Sequence, residues 1–428
     1  MKKRILIRFG DMMLKGQNIG YFIKRVRQHI TFKLSDLSVS YILRHDRVMI
    51  DFDLEDEEVI IKRLKMIPGI FDFSVAHVCN PELDEVIQTA IQAIDEGITK
   101  HGVTLKIETR RTNKKIPGTS LEITQTVAKP ILDGTKWNMV VDVNHPEVIL
   151  HIDLRIEGAY IYLKRIKGMG GYPFGTGGKG LLMMSGGIDS PIAGYLTIKQ
   201  GIEVELIHFE SSPLTPLESV QKVIDLAKIL ARYTLSGQIK LHIVPFMKLH
   251  HQILDLVHEP YMITVMRRMM YRIAEEFTKK KDMHVLINGE SVGQVASQTL
   301  QSMRVVENVT RIPILRPLIT YDKLDIIKLA KEIETYDISI RPFNDCCSIY
   351  VPKQPVTKPM DIYASKYEEE IDYKPLIDEA LKNVIHLSIS EHSALNLMDY
   401  GFSLEEAILQ YEKEKSDVID HVETKQII

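Results

Sequence analysis

Cysteine is scarce in this sequence: three in 428 residues, Cys79, Cys346 and Cys347. So few cannot build a disulfide framework, and they point to a reducing compartment. Aromatic residues are sparse too, at 7% with a single tryptophan, and they form no ladder on which the bases of a single strand would stack. Long hydrophobic runs are missing. Met1, Lys2, Lys3 and Arg4 have the look of a secretory start, but only 5–7 is apolar before Arg8 interrupts. No stretch approaches the ~20 apolar residues of a membrane span. A soluble cytoplasmic protein with no membrane partner is expected. The formal charge of -3 excludes nothing by itself.

What is present is unevenly placed. Residues 1–50 hold eleven Lys or Arg against three acids, whereas 361–428 hold six against sixteen. A basic front suggests a polyanion partner there; solvated faces that balance one another are the plain alternative. The first segment runs strand (4–9), helix (21–34), strand (47–52), helix (57–65) and an apolar stretch (70–78), which suggests a small α+β sandwich. The second has a helix over 83–98, a strand over 104–109, and a basic loop with Arg110, Arg111, Lys114 and Lys115. Strands over 139–143, 148–156 and 159–163 follow, the last two joined as a hairpin at Glu157-Gly158.

Seven glycines within 168–180 read as a linker or flap at a domain boundary. Beyond it, short apolar strands (181–184, 204–209, 240–244, 284–288) alternate with helices (192–200, 216–231, 261–279, 322–333). That order indicates a doubly wound parallel sheet. The predicted organisation is 1–58, 59–167, the linker 168–180, an α/β domain at 181–360, and an acidic helical tail at 361–428.

The sharpest chemical signal is Ser185-Gly186-Gly187-Ile188-Asp189-Ser190, between an apolar strand and a helix that opens near Pro191. The two glycines let backbone amides approach a ligand with no Cβ in the way. With the Ser185 and Ser190 hydroxyls and the helix N-terminus they make a nest for phosphate oxygens. The bland reading is a plain turn, since Ser-Gly-Gly and Asp-Ser-Pro are common there. The spacing is not that of a Walker loop, because Lys179 is followed by Gly180 and Pro173 stands where a glycine should be.

The loop resembles the PP-loop of the N-type ATP pyrophosphatases, which cleave ATP to AMP and pyrophosphate and use the position of Asp189 to help hold Mg²⁺. Further stretches extend the likeness: His208-Phe209, 265–270, 289–299, 316–320 and Asp322-Lys323, with Arg8-Phe9-Gly10 and Lys15-Gly16 at the front. Together they resemble the tRNA 4-thiouridine synthetases, the ThiI family of tRNA sulfurtransferases, over about 1–360. That resemblance implies an N-terminal ferredoxin-like domain, a THUMP RNA-binding domain and a PP-loop catalytic domain. By position it implies nucleotide contacts at Met183, Met184, His208, Phe209, Arg267, Gly289 and Gln298, besides the loop. Each has a plainer reading: the methionines as strand core, Arg267 or Arg268 as a salt-bridge partner. Lys323 would neutralise phosphate charge, or be merely solvated beside Asp322 and Asp325.

Sulfur transfer needs a thiolate, which only cysteine supplies. The family places its catalytic cysteine in the segment holding Cys346 and Cys347; gapless alignment from Lys323 favours Cys346, and a shift of one would favour Cys347. Cys79 beside an apolar run reads as core. A tail of this length without cysteine does not fit the rhodanese-like domain of longer members, so the short form is implied, with sulfur from an external cysteine desulfurase. The implied function is ATP-dependent thiolation of uridine 8 of tRNA, with service to a thiamine sulfur-carrier protein in some members. A homodimer is compatible with this. RNA contacts are expected from Arg8, Lys15, Arg110, Arg111, Lys114 and Lys115, through phosphates of a folded RNA. Another PP-loop tRNA-modifying enzyme, or a tRNA-binding protein with a vestigial nucleotide site, are the competing readings.

Overall fold

The structure, a computed structural model, describes residues 3–14, 16–44, 47–343, 345–346, 352, 354–399, 403–404 and 406–413. Lys15 and Cys347 therefore lie outside the described residues. The chain divides into two compact units, Met1–Tyr172 and Pro173–Ile428.

In the first unit, β1 (Lys3–Arg8) alternates as a strand buried on both faces must. Ile5 and Ile7 enter a core with Val26 and Ile30 of α1 (Ile19–Lys33) and Ile60 and Leu64 of α2 (Glu57–Leu64). Leu6 faces the other way, onto Met49, Ala76, Tyr160 and Tyr162. The predicted boundary at 58/59 thus falls inside a helix that belongs to the first core. β1 pairs antiparallel with β3 (Arg47–Phe52) and β4 (Asp72–Cys79), and β2 (Val39–Leu43), not foreseen, extends the edge beyond β3.

The same sheet continues through β5 (Thr104–Arg111), β6 (Val140–Val141), β7 (Val148–Arg155) and β8 (Gly158–Tyr162), with β9 (Ile166–Lys167) beside β4. The order is β2-β3-β1-β4-β8-β7-β5-β6. Helices α3 (Leu83–Gly97) and α4 (Ser120–Gly134) cover this half, bringing Val86, Ile94, Val127 and Ile131 onto Leu105, Leu150 and Ile152. Three expectations change. The hairpin turns one residue earlier than expected, since Arg155 pairs with Gly158. Arg110 and Arg111 end a strand rather than sit in a loop. The strand expected at 139–143 is only two residues long.

The glycine-rich segment is fastened at both ends, not a loose flap. Gly168 and Gly170 donate to the Phe71 and Ile70 carbonyls at 2.9 and 2.7 Å, and Gly177 donates to the Gly201 carbonyl at 2.9 Å.

The second unit is built on β10 (Lys179–Met183), β11 (Glu203–Glu210), β12 (Gln238–Pro245), β13 (Val285–Ile287), β14 (Ile314–Leu315) and β15 (Ile385–Ser390). The order is β14-β13-β10-β11-β12-β15, parallel except for β15. Its helices are α5 (Asp189–Lys199), α6 (Leu217–Ala231), α7 (Met247–Leu256), α8 (Met262–Lys281) and α9 (Leu300–Glu307). They continue as α10 (Lys323–Glu332), α11 (Tyr336–Ser339), α12 (Asp361–Glu369) and α13 (Tyr373–Lys382). Leu181 joins the core under α7 and α8, while Leu182 meets Gly194 of α5 on the opposite face.

The residues beyond 360 are more than an acidic helical tail. β15 closes the sheet edge, and the acids pair with bases of the unit: Glu368 with Arg268 at 2.8 Å, Glu391 with Arg232 at 2.8 Å. The chain winds from β10 out to β12 and then returns to β13 on the other side. Strand order therefore reverses at β10, and a crevice opens at the carboxyl ends of the strands there.

Candidate active site

β10 delivers Met183 and Met184 into that crevice, and α5 begins at Asp189. Between them the chain curls on itself. The Ser190 hydroxyl donates to the Ser185 carbonyl at 2.9 Å and accepts from the Ser185 N–H at 3.0 Å, and the Ser185 hydroxyl accepts from the Gly187 N–H at 3.3 Å. The Gly186 N–H points out of the curl and donates to a carboxylate oxygen of Asp345 at 2.8 Å. An amide so placed is an anion donor, as the nest reading requires. Gly289, after β13, lies so close that a Cβ would sit 2.7 Å from the Ser190 nitrogen. Packing alone demands glycine there.

A cavity of about 460 Å³ lies over this loop. Of the twelve nucleotide contacts expected, Met183, Met184, Ser185, Gly187, Asp189, Ser190, His208, Phe209, Arg267, Gly289 and Gln298 line it; Gly186 does not, its amide facing Asp345. Cys346 lines it as well and is only 4% exposed, in an apolar cluster with Phe209 and Met270. His208 lies with Nδ1 3.0 Å from the Met184 carbonyl, which sets the tautomer with the proton on Nδ1. Phe209 stands edge-on to Phe246.

Neighbouring arginines on α8 have separate fates, because successive helical residues point about 100° apart. Arg267 faces the cavity, donates to the Ser297 carbonyl at 2.9 Å and pairs with Glu290, which also takes Arg316 at 2.8 Å. Arg268 points away to Glu368, Asp361 and the Val305 carbonyl, an entirely internal role. Lys323 is not merely solvated. Its ammonium donates to Asp189 at 2.7 Å and to Gln294 at 3.2 Å. Asp189 and Lys323 are thus a charge pair at the mouth of the loop.

Among the described residues no group of three or more His, Cys, Asp or Glu side chains could hold a metal unaided. Cys79 lies half-buried on β4, and burial pushes its thiol pKa up, in keeping with a core residue. No described helix is long and apolar enough to cross a membrane.

The expected RNA contacts separate. Arg110, Lys114 and Lys115 are exposed. Arg111 turns inward to the Ile116 carbonyl at 2.5 Å. Arg8 is already engaged: it pairs with Asp72 at 2.6 Å and lies over the Tyr162 ring, 5.0 Å from its centroid. Other front bases do the same, Arg4 with Asp51 and Arg47 with Asp153 at 3.0 Å. Much of the basic front is therefore spent on acids of the same unit.

Several site residues were not foreseen. Asp345 adjoins Cys346 and could have been noticed there; Glu290 and Asn288 flank Gly289. Lys222 carries no such signal, since a lysine in an amphipathic helix reads as solvent-facing.

Strand order and loop define the second unit as a PP-loop α/β domain. Family models agree along the chain: the ThiI ferredoxin-like domain at 4–74, the THUMP domain at 81–164 and the thiamine biosynthesis protein (ThiI) at 175–373. The "Probable tRNA sulfurtransferase" of Acholeplasma laidlawii is 52% identical, covering 97% of this chain and 100% of its own. That of Bacillus pumilus is 44% identical over 89% of this chain and 94% of its own. A crystal structure of a 4-thiouridine synthetase–RNA complex with bound ATP superposes with TM-score 0.80 at 32% identity, covering 91% of this chain and all of that one. The chain belongs to the tRNA sulfurtransferase family.

Proposed function

We propose that this protein is an ATP-dependent tRNA sulfurtransferase that adenylates O4 of uridine 8 in tRNA and replaces that oxygen with persulfide sulfur. One observation carries the reading: a phosphate-type loop and a cysteine far apart in sequence line a single cavity. The donor set fits a nucleotide. The Gly186 amide already holds an anion, and Gly186 and Gly187 keep side chains off the loop.

In this reading the loop amides and the Ser185 and Ser190 hydroxyls hold the pyrophosphate half of ATP, while Met183, Met184, His208 and Phe209 hold the adenosine. Gln298 and Arg267, fixed by Glu290, orient it from the opposite wall. Asp189 is the loop's own carboxylate, and a carboxylate with phosphate oxygens is an ordinary ligand set for Mg²⁺. When bound, that ion supplies charge neutralisation on the phosphates. Lys323 does the same for the leaving pyrophosphate.

Uridine O4 attacks the α-phosphorus, and the bond to pyrophosphate breaks. The terminal sulfur of a persulfide on Cys346, loaded by a cysteine desulfurase, then attacks C4, and the C4–O bond breaks to release AMP. A second thiol, Cys347 in this reading, attacks the Cys346 sulfur, frees 4-thiouridine and leaves a disulfide for an external thiol to reduce. The chemical logic is that AMP leaves far more readily than a carbonyl oxygen.

The test pairs two measurements. Pyrophosphate release should require both ATP and tRNA, and the near-ultraviolet band of 4-thiouridine should vanish from the tRNA of cells lacking the protein. An unchanged band in those cells would overturn the reading.

A further inference from the structure

Lys222 on α6 is a buried lysine, 5% exposed, whose ammonium donates to the carbonyls of Arg341 at 3.0 Å and Phe343 at 3.3 Å. Burial pushes its pKa down, and the nearby Asp345 carboxylate opposes that shift. Residues 341 and 343 are therefore anchored on a buried cation. Further along, Asp345 caps the Gly186 amide at 2.8 Å. The fit is close: a Cβ on Gly186 would lie 3.0 Å from Lys222 Cδ and 3.3 Å from Asp345 Oδ1. Cys346, the next residue, sits in the apolar wall of the cavity.

A carboxylate and a phosphate oxygen ask the same thing of an N–H, and one amide cannot serve both. In a partly desolvated cavity their like charges also repel strongly. We propose that Asp345 is a positioning residue that couples phosphate occupancy of the 185–190 loop to the accessibility of Cys346. The carboxylate holds the Gly186 amide until a pyrophosphate group displaces it, and its departure draws Cys346 out of the apolar wall. Lys222 keeps the preceding backbone fixed, so the motion is confined to the residues beside the cavity. A persulfide on Cys346 is thereby sheltered until the nucleotide is in place. The proposal rests on the reading that this loop holds the pyrophosphate half of ATP.

The experiment follows the alkylation rate of Cys346 by iodoacetamide in the full-length protein, read peptide by peptide in a mass spectrometer. ATP or inorganic pyrophosphate should raise that rate by about tenfold in the unaltered protein, within the usual range for two coupled sites. Asp345→Ala and the near-isosteric Asp345→Asn should alkylate faster without any ligand, and ligand should add less than about twofold. Reciprocity requires the same variants to bind ATP more tightly by the factor lost from the alkylation response. A purely structural Asp345 would leave both the ligand response and ATP affinity unmoved, and that result overturns the proposal. If ATP binds the unaltered protein by equilibrium dialysis but Cys346 alkylation does not change, the coupling falls and the nucleotide site stands. If ATP fails to bind at all, both fall.

Discussion

On β1 of the first unit, Arg4 and Arg8 lie on one sheet face with Asp51, Asp72 and two tyrosines, and each guanidinium is consumed by the fold. On α8 of the second unit, Arg267 is fixed just as firmly, by Glu290 and the Ser297 carbonyl, yet its side chain faces a cavity. The difference lies in the sheets. On β1 of the first unit side chains are buried on both faces, and among the described residues the face away from α1 and α2 packs only against other strands of the sheet, so its charges must meet one another. The parallel strands of the second unit end at a reversal of strand order, where a crevice opens that Arg267 lines. Counting charges along a sequence cannot separate these cases; knowing which ends of which strands are open can.

The sharpest way to break this contrast is to disable one unit and leave the other untouched. Cys346→Ser should abolish 4-thiouridine formation while pyrophosphate release persists; sulfur transfer lost in Cys347→Ser but kept in Cys346→Ser would move the assignment by one residue. Asp189→Ala should cut tRNA-dependent pyrophosphate release by about 10²–10³-fold, because it removes the carboxylate that would hold the charge-neutralising Mg²⁺ on the phosphates. Filter binding should show its tRNA affinity unchanged.

Arg47→Met acts on the other unit. It strips a buried partner from Asp153 and should destabilise the first unit by about 3 kcal/mol in urea unfolding, less than a fully orphaned charge because Arg155 remains 3.0 Å away. Its activity per folded molecule should be normal.

Acid tests the same unit through His151, which stacks on Tyr162. Burial, helped by Arg165, pushes its pKa down to about 4. The unfolded chain takes up that proton near 6.5, so stability is full above that pH and is lost as pH falls toward 4. The loss amounts to about 3 kcal/mol at most. His151→Gln should flatten the pH dependence over that window in urea melts.

The smallest effect sharpens the surface side of the comparison. Lys114→Ala with Lys115→Ala should weaken tRNA binding a few-fold and lower the salt slope by about 2, roughly one per phosphate contact. Arg8→Ala should instead lower stability.

Much of this was legible in residues read in order. Short strand-like apolar runs located β1 and β3, and the apolar strands after 180 announced the parallel sheet. Other elements hid for physical reasons. Helix α4 contains Pro130, which argues against a helix, although the Thr119–Glu122 capping box at its start was there to be read. In β15, Ile385, Leu387 and Ile389 alternate cleanly, but the acidic charge around them drew attention to solvent. Arg8, Arg4 and Arg47 looked like an RNA-facing cluster because their acids, Asp51, Asp72 and Asp153, arrive later in the chain.

By itself the sequence determined the strand, the double-glycine turn and the following helix at 179–199, because apolar pattern, glycine and proline act within a few residues of one another. It also limited any sulfur carrier to its three cysteines, since thiol chemistry belongs to the side chain. Only the tertiary structure decided that the Gly186 amide meets Asp345, that Lys222 is buried beneath them, and that Arg267 rather than Arg268 faces the cavity. Those are contacts between segments distant along the chain, fixed by how the sheet winds and by which charges packing leaves no water to solvate.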